Sequence, residues 1–98
     1  MSQKSPVKEV VVYIVHEGAL GGLAVASAAM GAFLASRAGF VRRSVHPDVK
    51  ELNRFMDIVE WDSLLEAEQA AQAAEAEESV APFMQAIASI ELMGHFAA

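Results

Sequence analysis

At 98 residues the chain is one domain with room for a single core. It has no cysteine, which excludes disulfides, thiolate metal sites, iron–sulfur clusters and a cysteine nucleophile. Apolar residues make up 54% and the net charge is −6, with no basic cluster beyond Arg42-Arg43, which argues against nucleic acid and anionic membrane surfaces as partners.

The first residues are polar, and 1–8 read as a flexible lead-in to a single domain spanning 1–98. Glu9-Val10-Val11-Val12-Tyr13-Ile14-Val15-His16 is β-branched and aromatic without a break, which predicts a strand buried on both faces. Glycines at 18, 21 and 22 end it. Leu20, Leu23, Met30 and Leu34 then recur at helical spacing up to Arg37, with Ala38-Gly39 as the stop. No charge falls between Gly18 and Ser36, about the length of a membrane span. Most of that run is Ala, Gly and Ser, however, which insert weakly, so the expectation is a buried helix of a soluble, cytoplasmic protein with no membrane partner. A helix without a polar face must be covered on more than one side.

Strands near 40–46 and 53–61 flank the turn signal His46-Pro47-Asp48. Ser63-x-x-Glu66 is a capping box that opens an Ala-rich helix from about Ser63 to Glu78. Pro82 cannot sit inside that helix and starts a second helical piece, running to about Ser89 and burying Phe83, Met84 and Ile87. Ile90 to Phe96 closes the chain as a short strand. The order is β-α-β-β-α-β, the ferredoxin-like α+β arrangement with a four-stranded antiparallel sheet. Both helices of such a fold cover one sheet face. Yet Val10, Val12 and Ile14 point one way and Val11, Tyr13 and Val15 the other. A second copy is the natural cover for the remaining face, so a two-fold homodimer with stacked sheets is expected.

The candidate polar residues are few. His46 lies in the hairpin turn; His16 ends the first strand beside a glycine turn; His95 shares a strand face with Met93. No histidine or carboxylate spacing points to a metal, so none is expected. Arg42 and Asp57 fall on adjoining strands, where a cross-strand ion pair is the structural explanation and an anchor for an acidic or phenolate ligand the functional one. Tyr13 could hydrogen-bond a ligand oxygen. The glycines at 18–22 lack dinucleotide-binding spacing, and there is no Gly-x-Ser-x-Gly elbow.

The apolar strand Val10–Val15, the segment Phe33-Leu34-Ala35-Ser36-Arg37-Ala38-Gly39-Phe40, and Asp57-Ile58-Val59-Glu60-Trp61-Asp62-Ser63 leading into Leu64-Leu65-Glu66-Ala67 resemble the dimeric α+β barrel superfamily. Within it the chain is most similar to the small antibiotic-biosynthesis-monooxygenase-like domains. The resemblance implies a homodimer with a cavity between sheet and helices in each subunit. It also implies activities ranging from metal- and flavin-free oxygenation of aromatic phenols to heme degradation. Trp61 matches a strand-ending Trp that faces a planar ligand in several relatives. The second helix lacks the histidine that heme-degrading relatives use as iron ligand.

The function expected is cofactor-independent oxygenation of a small aromatic or quinone-like compound. His95, His16 or Asp57 would remove a proton, Tyr13 and Arg42 would bind the ligand, and Trp61, Phe83 and Met84 would exclude water. The alternatives are a non-catalytic small-ligand-binding or stress-associated dimer and a heme-handling protein. One closed pocket of several hundred cubic ångströms shared by Trp61, Tyr13 and His95 would favour the enzyme.

Overall fold

The structure is a computed structural model describing residues 5–98, so Met1–Lys4 of the expected lead-in lie outside the described residues. Four strands form one antiparallel sheet in the order β2-β3-β1-β4. They are β1 (Val7–Val15), β2 (Phe40–Pro47), β3 (Arg54–Trp61) and β4 (Ile87–Ala97). Strand β1 starts two residues before the expected Glu9 and takes Val7 and Lys8 out of the lead-in. The reason is pairing on both sides: Val7 lies opposite Trp61 and Ala97, and Lys8 opposite Glu60 and Phe96. His16 falls just beyond β1.

A 3-10 segment, Glu17–Gly22, leads into helix α1 (Leu23–Ala35), which ends through Gly39 at φ +83°. The helical stretch Glu17–Ala35 is long and apolar enough to cross a membrane, with mean hydropathy 1.7. Here it places Leu23, Met30 and Leu34 in the core and leaves Val25 on the outside. Helix α2 (Leu64–Ala74) starts on the expected cap: the Glu66 amide donates to Ser63 Oγ at 3.3 Å, and the Ser63 hydroxyl donates to Glu66 Oε1 at 3.0 Å.

Three further boundaries differ from expectation. Helix α2 stops at Ala74 instead of Glu78, because the chain must turn to bring Val80 into the core; Glu75, Glu77 and Glu78 add acidic charge at a C-terminus that has no basic residue in its last turn. A 3-10 turn at Glu78–Val80 then carries Val80 into the core. Helix α3 (Ala81–Ala86) ends three residues before Ser89, because Ile87 is already paired with Val15 and the Ala86 carbonyl accepts from the His16 amide. Strand β4 therefore begins at Ile87, not Ile90, and runs through Ala97.

All helices lie on one sheet face. Tyr13, Val15, Val59 and Trp61 from the strands meet Leu23, Met30 and Leu34 of α1, with Val80, Phe83 and Ala86 at the α3 end. Helix α2 contributes only alanines, Ala67, Ala70 and Ala74, so it adds little side-chain bulk to the space over the sheet. The opposite face carries Val10, Val12, Ile14, Met56, Ile58, Leu92 and Phe96, and no element of the described chain covers it. A register shift between Phe40 and Arg42 puts an extra residue, Val41, into β2. Because side chains alternate, this shift reverses which arginine faces the helices: Arg42 lies opposite Glu60 on the outer face and Arg43 opposite Val59 on the inner one.

Candidate functional site

Between the inner sheet face and the helices lies a cavity of about 180 Å³. Val11, Val59 and Trp61 form its floor, Met30, Leu34 and the alanines of α2 its sides. Met84, Ile90 and Met93 line it while standing partly exposed, which marks its mouth on the β4 side. Apart from the Trp61 indole N–H, the polar groups of the lining are the side chains of Glu9, Tyr13 and Asp57. The register places Glu9 opposite Val59 and Asp57 opposite Val11, so the two carboxylates are diagonal neighbours on the central strand pair, about 7–8 Å apart at their α-carbons.

Asp57 sits in a closed network. Tyr13 Oη donates to its Oδ1 at 2.6 Å, and Arg43 donates to its Oδ2 from Nε at 3.0 Å and Nη2 at 2.6 Å. The Arg43 Nη1 donates to the Ser27 carbonyl at 2.8 Å, and the guanidinium lies 5.4 Å from the centre of the Phe83 ring. Both charged side chains are over nine-tenths buried, 8% and 9% exposed. Tyr13 is stacked on Phe55 and meets Phe83 edge-on. Burial, then the hydrogen bond to Asp57 and that carboxylate's charge, push the Tyr13 hydroxyl well above its ordinary value, with Arg43 opposing. Tyr13 is therefore a fixed neutral donor.

The second polar group is more open. Trp61 Nε1 donates to Glu9 Oε1 over a long 3.4 Å, and His95 Nε2 lies 3.0 Å from Glu9 Oε2. Glu9 is buried, whereas the His95 side chain keeps 24% of its surface in solvent.

Of the residues singled out in the sequence, Tyr13, Asp57, Trp61, Phe83 and Met84 line the cavity. His95 does not line it and reaches it only through Glu9. The single pocket shared by Trp61, Tyr13 and His95 therefore includes two of the three, and it is smaller and more open than that expectation required. His16 is exposed beyond the end of β1, and the cavity lining excludes it. The expected Arg42–Asp57 pair does not form: Arg42 bonds Glu60 on the outer face, and Arg43 takes Asp57 because of the Val41 bulge. Arg42 therefore anchors nothing in the cavity. His46 bonds Ser44 on the outer face.

Sequence reasoning missed Glu9 and Arg43. For Glu9 the available signal was a carboxylate in phase with Val11, Tyr13 and Val15; for Arg43 there was none short of the bulge. Among the described residues no group of three or more His, Asp or Glu converges as a metal site.

No protein-family model and no curated protein matches the chain. Solved structures do. SnoaB from Streptomyces nogalater, a cofactor-independent oxygenase, is similar at 26% identity and TM-score 0.77, over 96% of this chain and 93% of that one. A candidate antibiotic biosynthesis monooxygenase from Bordetella bronchiseptica aligns at TM-score 0.83 with 14% identity, over 97% and 98% of the two chains. PA3566 from Pseudomonas aeruginosa aligns at TM-score 0.75 and 15% identity over 100% and 98%. The chain has the βαββαβ fold of the antibiotic-biosynthesis-monooxygenase-like proteins in the dimeric α+β barrel superfamily, as the resemblance in its sequence implied.

Proposed function

We propose that the chain is a cofactor-independent monooxygenase acting on a small aromatic or quinol-type compound. The carrying observation is the cavity: an apolar slot with an indole in its wall and only two carboxylates and one hydroxyl to orient a ligand. The 26% identity with SnoaB along nearly the whole chain supports this reading. At about 180 Å³ the slot falls below the roughly 300–1,000 Å³ of drug-sized sites, so it suits one or two fused rings, with any further ring at the open mouth.

The substrate class is an aromatic carbon acid whose methylene is activated by a ring carbonyl. A base on the cavity wall takes one proton and leaves a delocalised anion, which dioxygen attacks directly. One methylene carbon becomes a carbonyl, and the second oxygen atom leaves as water with the two displaced hydrogens. Tyr13, held neutral and donating to Asp57, offers its oxygen only as an acceptor to a substrate hydroxyl, and the apolar wall keeps bulk water from the anion.

Oxygen uptake with anthrone and 1,4-naphthoquinol is the test. Uptake above the uncatalysed rate, reduced at least tenfold by Trp61→Ala, is the expected result. No uptake with any compound would leave a ligand-binding protein as the function.

The same reading includes a homodimer built on the uncovered sheet face. That face has an apolar centre, Val10, Val12, Met56 and Ile58. The Arg42–Glu60 pair bounds it at one end, and Arg54 bonded to Asp48 and Glu91 bounds it at the other.

A further inference from the structure

We propose that Glu9 is the proton acceptor of the cavity and that His95 is its positioning residue. The choice of substrate class rests on the oxygenase reading above.

Two carboxylates face the slot, and their surroundings differ. Both oxygens of Asp57 are committed: Oδ1 to a short bond from Tyr13, Oδ2 to two N–H groups of Arg43. A proton arriving there would break up a buried ion pair, at a cost that outweighs one hydrogen bond. Glu9 has no such counter-charge locked onto it. Among the described residues its Oε1 receives only the long bond from Trp61, and each carboxylate oxygen has about two acceptor sites. Glu9 is thus the carboxylate with spare acceptor capacity in the cavity, next to the indole against which a planar ring would lie.

His95 acts on Glu9 from behind. It lies opposite Glu9 in the β1–β4 ladder, bonds Oε2, and is partly in solvent. With its proton on Nε2, the imidazole donates to Oε2 and fixes the Glu9 rotamer, leaving Oε1 beside the Trp61 indole that lines the cavity. The other inner-face neighbours of Glu9 are apolar: Val7 and Val11 in its own strand, Val59 and Trp61 in β3, Met93 and Ala97 in β4. The remaining charged and titratable groups of the wall, Asp57, Tyr13 and Arg43, are bonded to one another.

In the step assigned to Glu9, a substrate C–H bond breaks. Its electron pair stays on the substrate and the proton forms an O–H bond at Oε1. Dioxygen, the co-reactant, then accepts the electron pair as a peroxide anion. Glu9 returns its proton to the terminal peroxide oxygen, and loss of water with the second C–H hydrogen leaves the carbonyl. Glu9 ends as it began.

Hydrogen–deuterium exchange isolates the first step. The methylene of anthrone exchanges in deuterium oxide under anaerobic conditions, where oxygenation cannot follow, and mass spectrometry counts the deuterium. Trp61 is the only tryptophan, so its fluorescence reports anthrone binding separately. The wild-type protein is expected to accelerate exchange. Glu9→Gln should lower that rate about a hundredfold or more, with the binding titration changed less than about threefold. His95→Gln, whose amide can donate from near the Nε2 position, should keep most of the exchange. His95→Leu should lose about tenfold.

Absence of exchange in the wild-type protein overturns the proposal. So does exchange that persists in Glu9→Gln, or that is abolished only by Asp57→Asn. Glu9-dependent exchange without aerobic oxygen uptake upholds Glu9 and retires the oxygenase reading, so the two failures are told apart.

Discussion

Arg43 and Asp57 form a buried ion pair in a domain this small, and the arrangement tolerates little loss. Removing one partner of such a pair leaves an uncompensated charge in a low-dielectric site, which costs about 3–5 kcal/mol. Arg43→Met is therefore expected to lower the urea unfolding free energy by about 3 kcal/mol or more, whereas Arg43→Met combined with Asp57→Leu should recover much of that loss. A loss in the double variant equal to the sum of the losses in Arg43→Met and Asp57→Leu alone would show that the pair contributes no coupling. Tyr13 gives a second expectation at this scale. Its hydroxyl is raised in the folded state, so the protonated form is what folding favours. That contribution is complete below the unfolded value of about 10 and disappears as pH rises above it. Stability should fall above about pH 10 in the wild-type protein more steeply than in Tyr13→Phe. Tyr13 is the only tyrosine, so phenolate absorbance should appear together with unfolding and not before it. Most of this network was legible: Tyr13 and Asp57 stand out as polar residues in apolar strands. Which arginine completes it was not, because a one-residue bulge at Val41 exchanges the faces of Arg42 and Arg43 and leaves no mark in the local sequence.

Elements were read correctly where local chemistry sets them, and wrongly where distant partners do. The capping box at Ser63 depends on neighbouring residues and falls where expected, and Gly39 supplies the expected left-handed turn, although α1 ends two residues before Arg37. The ends of β1, α2, α3 and β4 depend on which strands pair across the sheet and on pulling Val80 inward, so they shifted by two to four residues. Gly39 shows how narrow one of these joints is. Its φ is +83°, and a Cβ placed there would come within 2.4–2.7 Å of the Glu66 side chain, including its own Cβ. Gly39→Ala must therefore adopt a left-handed conformation and also displace the first turn of α2. A loss of about 2–3 kcal/mol is expected. For a domain near this size that corresponds to a fall of roughly 8–24 °C in the unfolding temperature. A change within a few degrees would mean that the α1–β2 turn can be rebuilt without strain. The α1 helix remains the element whose sequence explains it least. Its outward face, Ala24, Val25, Ala28 and Ala32, carries no charge, and nothing in the described chain covers it.

At the scale of the molecule, the sheet has two apolar faces and one layer of helices. The helix-covered face holds the cavity; the other leaves Val10, Val12, Met56 and Ile58 without a covering layer, and Phe96 lies back over Gly94, where a Cβ would meet its ring at 3.1 Å. Contiguous apolar area of this kind is uncommon on an isolated domain and is stabilised by burial against a matching surface. In the proposed homodimer a second copy would supply one, because two-fold symmetry would set the apolar centre on itself. The net charge of −6 on each copy opposes this association, so the attraction must come from apolar contact and the repulsion must be screened by salt. Three consequences follow for sedimentation or light scattering at micromolar concentration. The wild-type protein should have twice the mass of the chain, and added salt should strengthen the dimer. Ile58→Lys, which buries a charge at the centre of the stacked sheets, should yield monomers that keep their far-ultraviolet dichroism, since the residue faces away from the core. A wild-type protein that stays monomeric would remove the dimer. An Ile58→Lys dimer would place the contact elsewhere, and the exposed hairpin tip at Val49 and Leu52 would be the next surface to substitute.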